Sequence, residues 1–356
     1  MIATPVTVAC LSSRRLHLIL MPTEACNFRC VYCYESFALK QMKPEVVTGV
    51  KRLLTRRAPG LSSLALSWFG GEPLLAPSVI EDILSHARAL EGERPGLTVG
   101  SDITTNGYLL SRSMADRLLP LGVSVYQISL DGPRARHDRM RVRPGGLPTF
   151  DRIWENLIAL KARPERFRVT LRLHVDRDNL DSVPELLRIL APEFSGDDRF
   201  DVFIRAIARL GGPRDAALPV LAEEDSAAIL ARLREEAACL GLKLAQANAG
   251  DPVCYAAHAN SFLVRADGRL NKCTVALELP ANQVGRIRED GTLELNRTRT
   301  LAWSRGLDSG NAKELACPLQ GIGAVQADAS PVRTAGVQAR TVAGAPRGIT
   351  VAEAQV

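Results

Sequence analysis

Long apolar runs are absent from this chain of 356 residues. Its longest apolar stretches are only as long as a β-strand, which excludes a membrane-spanning helix. The first fifteen residues contain no basic region followed by an apolar core, so they do not form a signal peptide. We therefore expect a cytoplasmic protein, with no membrane partner. In that compartment eight cysteines indicate metal binding or catalysis more than disulfide bonds.

Basic runs interleaved with aromatic residues are also missing. The net charge is +6, and such a balance can indicate nucleic-acid binding. Here, however, the arginines are spread through segments that are predicted to be helical. A solvated, Arg-rich surface is therefore the preferred interpretation, and no nucleic-acid partner is expected. An anionic substrate or leader peptide remains compatible with this charge.

Histidine is missing between residues 18 and 85, the part of the chain where Cys26, Cys30 and Cys33 form a C-x3-C-x2-C pattern. Thiolates are soft ligands that suit zinc, copper(I) or iron–sulfur clusters. Zinc sites usually draw on separated ligand pairs that often include His, so a zinc knuckle or a set of buried thiols is the less favoured alternative. A [4Fe–4S] cluster normally takes four cysteines, and three would leave one iron open.

Predicted strands and helices alternate six times along the first part of the chain, which favours βαβ units and a parallel sheet. Six units are fewer than the eight of a closed barrel. The predicted fold class is α/β, an open partial (β/α)6 barrel of the TIM type. The predicted strands are 16–22, 63–69, 97–105, 123–130, 168–175 and 200–208, and the predicted helices are 44–57, 77–90, 111–119, 150–162, 182–190 and 223–240, with a long loop at 131–149.

The alternation stops near residue 250. Residues 261–273 are typical of a β-hairpin with a turn at Asp267-Gly268. The final stretch has no Phe, Tyr, Trp or Leu, so it has little to bury and a disordered tail is expected. The predicted divisions are an N-terminal segment (1–15), the barrel (16–245), a small C-terminal extension that contains the hairpin (246–320) and the tail (321–356).

Three further motifs end predicted strands. Gly70-Gly71-Glu72-Pro73 follows the second strand, where two glycines let the backbone approach a ligand and the Glu can accept from an ammonium group; the alternative is an ordinary Gly-rich turn. Thr104-Thr105-Asn106-Gly107 ends the third strand. Ser129-Leu130-Asp131-Gly132-Pro133 ends the fourth and is followed by His137, Asp138 and Arg141.

The C-x3-C-x-Tyr-C spacing, with Tyr32 before the last cysteine, resembles the radical S-adenosylmethionine (SAM) enzymes. In that family the three cysteines bind a [4Fe–4S] cluster whose open iron chelates the amino and carboxylate groups of SAM. Reductive cleavage then gives a 5′-deoxyadenosyl radical, which abstracts hydrogen from a substrate. Gly70-Gly71-Glu72-Pro73 matches the family's GGEP motif, which implies that it binds the SAM amino group.

The stretch from Ser129 to Arg141 resembles the S-L-D-G-P…H-D-x-x-R segment of the subgroup that modifies peptides and proteins. This resemblance implies that Ser129 lies near the SAM ribose and Arg141 near the SAM carboxylate or the substrate. Asn106 resembles part of a cofactor-proximal T-N-G segment, with a plain strand-to-helix turn as the alternative. Asp131 is expected to order its loop, and His137 to be a structural histidine more than a catalytic base.

Four residues outside these motifs also carry predictions. Arg172 and His174 alternate with apolar residues on the fifth strand, so they share one face, which either lines the barrel interior or meets the helices. Cys10 and Cys239 are expected to be spectator thiols. Cys239 is predicted to act as a small buried hydrophobe within its helix.

Cys254, Cys273 and Cys317 follow the barrel and resemble the SPASM or twitch extension, which holds auxiliary [4Fe–4S] clusters; three unrelated thiols are the alternative. A full SPASM extension supplies seven or more cysteines for two clusters. We therefore expect at most one auxiliary cluster, with His258 or an open iron in place of a fourth cysteine. Glu314 stands where the family has a Cys, and from these departures a truncated or frameshifted C-terminus is a hypothesis.

The resemblance implies a maturase that abstracts hydrogen from a peptide and forms a thioether, C–C or C–O cross-link in a ribosomally made product. A flavodoxin or ferredoxin would supply electrons. About fifteen residues precede the first strand, so a separate leader-peptide-binding protein is a possible partner. The runner-up is an anaerobic sulfatase-maturating enzyme that forms formylglycine, although Thr274 replaces the Asp expected after the hairpin cysteine. A non-enzymatic iron–sulfur or peptide-binding protein is the alternative of another class.

Overall fold

The computed structural model describes residues 5–245 and 253–322, together with the backbone of 332–334. The predicted domain boundary near residues 245–252 and the predicted disordered tail after residue 322 therefore lie almost entirely outside the described residues. Among the described residues, none of the helices has the length and apolar character needed to cross a membrane.

Strands and helices alternate as the sequence predicts. The first six strands are β1 (Arg15–Leu20), β2 (Ser63–Trp68), β3 (Thr98–Thr105), β4 (Val123–Leu130), β5 (Arg168–Val175) and β6 (Phe200–Ala206). The helices that accompany them are α1 (Pro5–Leu11), α2 (Pro44–Arg57), α3 (Pro77–Gly92), α4 (Arg112–Leu118), α5 (Arg134–Met140), α6 (Phe150–Lys161), α7 (Val183–Phe194) and α8 (Glu223–Cys239).

After the barrel, the described chain continues with short strands and two helices. These elements are β7 (Ser261–Val264), β8 (Arg269–Asn271), β9 (Gln283–Ile287), β10 (Leu293–Leu295), α9 (Arg297–Ser309), α10 (Ala312–Ala316) and β11 (Val332–Thr334). The predicted hairpin is confirmed, because β7 and β8 pair antiparallel around a turn in which Gly268 has φ +87°. That left-handed conformation favours glycine over other residues.

All described strands belong to one sheet, in the order β11-β10-β9-β8-β7-β1-β2-β3-β4-β5-β6. Strands β1 to β6 are parallel neighbours in sequence order, which confirms the predicted partial barrel. Strand β7 pairs parallel with the free side of β1. The C-terminal hairpin therefore extends the same sheet and lies directly beside the strand that leads to the three-cysteine loop.

Alternating burial separates the two faces of the sheet. On β5, Val169, Leu171, Leu173 and Val175 are fully buried in the main hydrophobic core. Helices such as α2 cover that face with their own apolar side chains. Because successive side chains of a strand point to opposite faces, the polar residues of β5 lie on the inner face of the barrel.

Three helical segments differ from the sequence predictions. Helix α5 interrupts the predicted loop 131–149 because buried His137 and Met140 fix one of its faces. Helix α7 continues to Phe194 through Pro192, since Leu190 and Phe194 keep its apolar stripe buried. Helix α1 forms within the N-terminal segment, for which no helix was predicted.

The prediction that Cys239 is buried is wrong. Cys239 is the last residue of α8 and is exposed. The buried residues of α8 are only Leu233 and Ala237, so most of this helix faces solvent. Cys10, in contrast, is buried, with 3% of its surface exposed.

Candidate active site

The loop that carries Cys26, Cys30 and Cys33 starts just beyond the carboxyl end of β1. It has no regular secondary structure, so its backbone groups need partners elsewhere. The Val31 N–H donates to the carbonyl of Met140 at the end of α5, over 2.9 Å. The loop that follows β1 is thereby tied to α5, which follows β4.

The three thiols are half-buried. Burial raises the pKa of each, and that of Cys33 reaches about 12. The sulfur of Cys26 accepts the Phe28 N–H at 3.3 Å, a bond that favours a thiolate ligand. Without a bound cation these groups are neutral thiols, and a metal centre would deprotonate them.

A single metal ion does not suit this arrangement. Within the described residues, no three His, Cys, Asp or Glu side chains are positioned to share one ion. A [4Fe–4S] cluster makes a different demand, since each cysteine binds a different iron. Soft thiolates on one short loop therefore fit a cluster better than a mononuclear zinc site.

Gly70 and Gly71, just after β2, pack against the backbone that leads into the cysteine loop. Gly70 has φ +115°, and a Cβ added there would lie 2.4 Å from the Thr23 carbonyl oxygen. A Cβ on Gly71 would lie 2.4 Å from the Ala25 carbonyl oxygen. Contacts that short are not tolerated, so only glycine permits this approach.

Glu72 is fully buried, and within the part of the chain that the structure describes its carboxylate forms no ion pair. It accepts hydrogen bonds from the Leu74 N–H at 3.0 Å, the Thr105 hydroxyl at 2.8 Å and the Asn106 N–H at 2.7 Å. Burial raises its pKa by more than these hydrogen bonds and the charge of Arg141 lower it. A bound ammonium group would stabilise this carboxylate, which fits the amino group of SAM. Pro73, also buried, begins the short turn that Glu72 caps.

Asn106 connects the third strand to the cysteine loop. Its side-chain amide donates to the side-chain oxygen Oδ1 of Asn27 at 2.7 Å, and Asn27 directly follows Cys26. Sequence reasoning placed Asn106 near the cofactor but missed Asn27. No local pattern marks Asn27, because its partner is 79 residues away.

Tyr32, Asp131, Arg141 and His174 form a buried network beside the cysteines. The Tyr32 hydroxyl donates to Asp131 at 2.6 Å and accepts from Arg141 at 2.6 Å, and His174 Nδ1 lies 2.8 Å from the other Asp131 oxygen. Burial alone would raise the pKa of Asp131, but His174 and Arg141 outweigh it and hold that pKa well below its usual range. Asp131 thus orders its surroundings, as predicted, and the His174 face of β5 lines the interior.

His137 is confirmed as a structural histidine. It is fully buried, accepts the Asp131 N–H at 3.3 Å and lies 3.2 Å from the Thr149 hydroxyl. Burial lowers its pKa to about 4, so the ring is neutral at pH 7. Ser129, at the end of β4, is 8% exposed and pairs in register with Arg172 on β5.

A second group of thiols lies in the C-terminal region. Burial raises the pKa values of Cys254 and Cys273. The Cys254 N–H donates to the Leu315 carbonyl at 2.8 Å, two residues before Cys317, and the Tyr255 hydroxyl lies 2.8 Å from that of Thr274, so hydrogen bonds join the segments that carry the three cysteines. The Cys273 sulfur accepts the Val275 N–H at 3.4 Å. These soft donors fit an auxiliary cluster, but the described residues supply no fourth cysteine at this position.

Sequence comparison identifies the barrel. Residues 20–190 match the model of the Radical SAM superfamily. The chain carries a radical SAM domain. This domain spans the cysteine loop and the motifs that end β2, β3 and β4. The radical SAM family uses a [4Fe–4S] cluster and SAM. The three thiols suit the cluster as ligands, and the buried Glu72 carboxylate suits the amino group of SAM.

Two curated relatives each match about half of this chain. The Fe-coproporphyrin III synthase of Methanosarcina barkeri is 29% identical over 171 residues, which are 48% of this chain and 40% of that protein. The PqqA peptide cyclase of Xanthomonas axonopodis pv. citri is 30% identical over 175 residues, 49% of this chain and 44% of that protein. The chain thus spans less than half the length of these two relatives.

Solved structures share more of the fold. A structure of anSMEcpe with bound AdoMet has a TM-score of 0.63 and 21% identity, and the match covers 77% of this chain and 78% of that one. Streptococcus suis SuiB bound to its precursor peptide SuiA has a TM-score of 0.53 and 16% identity, over 76% of this chain and 62% of that one. At these identities the likeness concerns the fold, which extends beyond the radical SAM domain.

Proposed function

We propose that this protein is a radical SAM maturase that abstracts hydrogen from a peptide substrate, with a cross-link in a ribosomally made peptide as the expected product. The observation that carries the proposal is the convergence of Cys26, Cys30 and Cys33 with the buried, cation-poor carboxylate of Glu72. When bound, the cluster and SAM supply the electron transfer and the adenosyl radical.

The residues of the chain hold and orient these groups. Cys26, Cys30 and Cys33 would ligate three irons. The turn of residues 70–73 would bind the SAM amino group through Glu72, whose buried carboxylate gains a cation. Arg141 lies near both Cys30 and Glu72, which suits the SAM carboxylate.

Three placements near the SAM site complete the proposal. Ser129 would contact the ribose. Asn106 would fix the cysteine loop through Asn27. Asp131 would hold Tyr32 and His174 in place beside the cysteines. All three side chains are largely buried, so they are preorganised before any ligand enters.

A peptide substrate is supported by what the similar proteins act on. The PqqA peptide cyclase is named for a peptide, and SuiB was solved with a precursor peptide. The radical SAM domain also resembles haem-pathway enzymes such as the pre-heme d1 synthase of Dinoroseobacter shibae, at 29% identity over 178 residues. The fold likeness to SuiB and anSMEcpe favours the peptide class over these, because it covers 76–77% of this chain, whereas the match to the pre-heme d1 synthase covers 50%.

The sulfatase-maturating alternative remains as a second candidate because anSMEcpe has the higher TM-score of the two structures. Against it, Thr274 follows the hairpin cysteine, where the resemblance implies an Asp. The Thr274 hydroxyl is 2.8 Å from the Tyr255 hydroxyl, so it is engaged in a neutral hydrogen bond. A neutral hydroxyl pair is a poor general base at pH 7.

Further parts of the proposal concern the setting of the enzyme. We place it in the cytoplasm, where a flavodoxin or ferredoxin would reduce the cluster and a separate protein would present the leader peptide. The division into a barrel of residues 16–245 and an extension of residues 246–320 belongs to the same proposal. Cys254, Cys273 and Cys317 would hold one auxiliary [4Fe–4S] cluster in this extension, as in the SPASM or twitch proteins that the chain resembles.

The test is SAM cleavage by protein reconstituted anaerobically with iron and sulfide. The expected product on reduction with dithionite is 5′-deoxyadenosine. Cys30→Ala should abolish both this product and the iron of the SAM site, because a cluster ligand is lost. Cys239→Ala is the matched control, since Cys239 is exposed and remote in sequence, and it should behave as the parent. Full cleavage by Cys30→Ala would overturn the assignment.

A further inference from the structure

Two arginines, Arg172 and Arg205, lie on the inner face of the barrel beside the SAM site. Arg172 alternates with the buried apolar residues of β5, so it lies on the same face as His174. Arg205 is opposite His174 on β6, one alternation nearer the carboxyl end of the sheet than Arg172. Both side chains therefore share one surface, which leads outward from the cysteine loop.

Neither arginine has an acidic partner among the residues that the structure describes. The Nε atom of Arg172 is buried without a hydrogen-bond partner. The charge of Asp131 acts on Arg172, but both oxygens of this carboxylate are already occupied by Tyr32 and His174. Other arginines with little exposure, such as Arg265, are paired with carboxylates.

The two positive charges also repel each other. Burial, and then the charge of Arg205, lowers the pKa of Arg172. Leaving a buried cation unpaired costs free energy, and a second cation beside it adds to that cost. Such an arrangement suits an anionic ligand, because two guanidinium groups match the planar geometry of a carboxylate.

The position of the pair separates it from the expected SAM carboxylate. Arg141 already lies near Cys30 and Glu72, where the SAM amino acid moiety would be held. Arg172 and Arg205 lie instead on β5 and β6, and Arg205 is exposed towards the end of β6. A ligand that enters from the carboxyl end of the strands would reach Arg205 first.

We propose that Arg172 and Arg205 form a carboxylate-binding subsite for the substrate, which takes an Asp or Glu side chain or the C-terminal carboxylate of a peptide. The identification of the ligand as substrate rests on the proposed function. The subsite would place the acidic group of the peptide against β5 and β6 and so direct an adjacent part of the peptide towards the SAM site.

The experiment measures the rate at which phenylglyoxal modifies each arginine in the full-length chain, by peptide mass spectrometry. The protein is reconstituted with its cluster and saturated with SAM. The probes are N-acetyl-aspartate methylamide and its uncharged analogue N-acetyl-asparagine methylamide. We expect the acidic probe alone to protect Arg172 and Arg205. Arg232, which is exposed on α8, is the internal reference and should react equally with both probes.

Two results would overturn the proposal. Protection of Arg172 by SAM alone would assign the site to the SAM carboxylate, and equal protection by the acidic and neutral probes would remove the carboxylate subsite. Arg172→Gln should shift the concentration of acidic probe that protects Arg205 by about tenfold or more. Arg168→Gln, on the same face of β5 but exposed, is the control and should keep the parental protection.

The same labelling on cluster-free protein without SAM separates this proposal from the proposed function. Protection of both arginines by the acidic probe in that state supports the subsite even if the reconstituted protein cleaves no SAM. Loss of protection in both states, with normal SAM cleavage, overturns the subsite and leaves the proposed function standing.

Discussion

At the scale of single residues, burial decides which groups carry charge in this site. His17 lies on the inner face of β1, between the hydroxyls of Ser67 at 2.9 Å and Ser261 at 3.1 Å. Burial lowers its pKa to about 4. The ring is therefore neutral in the native protein at pH 7, and it joins the first barrel strand to the C-terminal hairpin.

This pKa shift predicts an acid-sensitive contribution to stability. Between the unfolded pKa of 6.5 and the native pKa of about 4, the unfolded chain binds more protons at His17 than the native chain. Stability therefore falls as pH falls through this window. Between pH 7 and pH 5 we expect His17 to account for a loss of about 1–2 kcal/mol. Urea denaturation of the parent and His17→Gln at both pH values measures it.

The informative quantity is the difference between the two proteins, because other titrating groups are common to both. His17→Gln should lose less stability than the parent on acidification. An identical pH dependence in the two proteins would show that His17 does not titrate differently in the native and unfolded states.

At the scale of elements, the turn after β2 and the hairpin β7–β8 fix the cysteine loop from two sides. Gly71 is pressed against the Ala25 carbonyl, and the Glu72 N–H donates to that same oxygen at 2.9 Å. On the other side, Arg265 of the hairpin reaches Glu24, two residues before Cys26. The loop therefore depends on elements that are remote in sequence.

Gly71→Ala tests the first of these contacts. The added Cβ would overlap the Ala25 oxygen at 2.4 Å and displace the turn from the cysteine loop. We expect SAM binding to weaken about tenfold or more and the free energy of unfolding to fall by about 1–3 kcal/mol. Equilibrium dialysis with SAM and urea denaturation provide the two measurements. Gly60→Ala is the control, since a Cβ there meets nothing within 4 Å; parental behaviour of both variants would contradict the prediction.

Arg265→Met tests the second contact. Arg265 and Glu24 are 1% and 2% exposed, and Arg265 donates to both Glu24 oxygens and to Glu278 at 2.9 Å. Removal of Arg265 leaves the Glu24 carboxylate buried and unpaired, which costs about 3–5 kcal/mol of unfolding free energy. Chemical denaturation checks this value.

A surface ion pair serves as the comparison for Arg265. Lys51 and Asp82 form a pair at 2.6 Å that remains substantially exposed. Lys51→Met should cost no more than about 1 kcal/mol. Equal losses in the two variants would show that the Arg265 pair contributes nothing beyond an ordinary surface contact.

At the scale of the whole molecule, one continuous sheet joins the barrel to the C-terminal strands. Strand β1 has β2 on one side and β7 on the other, so the cysteine loop emerges between the barrel and the hairpin. Cys273 lies two residues after the end of this hairpin. Both groups of thiols therefore belong to one folded unit, which is built on a single sheet.

Iron content tests whether both groups bind clusters. If Cys254, Cys273 and Cys317 hold one auxiliary cluster, the reconstituted parent should contain about eight irons per chain. The triple Ser variant of these residues should contain about four. A parent with about four irons would restrict the protein to the SAM cluster. Iron and sulfide analysis, with Cys239→Ser as the matched variant, makes the distinction.

The sequence by itself was sufficient for the barrel. The 2- and 3.6-residue periodicities are local properties, and they located all six barrel strands to within a few residues. The roles of Cys26, Cys30, Cys33 and the turn at residues 70–73 stay predictions, which the sequence makes because a ligand loop must present its groups at close spacing. The predictions for Cys239 and the loop 131–149 failed where burial depended on distant partners.

Tertiary structure decided how these local pieces act together. Periodicity could not choose the face of β5 that carries Arg172 and His174, since both faces of a parallel sheet are covered in a barrel. The contact of His174 with Tyr32 made that choice. Likewise, the ion pair of Glu24 with Arg265 joins residues 241 positions apart. Only the folded sheet brings such groups together, because their interaction depends on distance in space and leaves no repeating pattern in the chain.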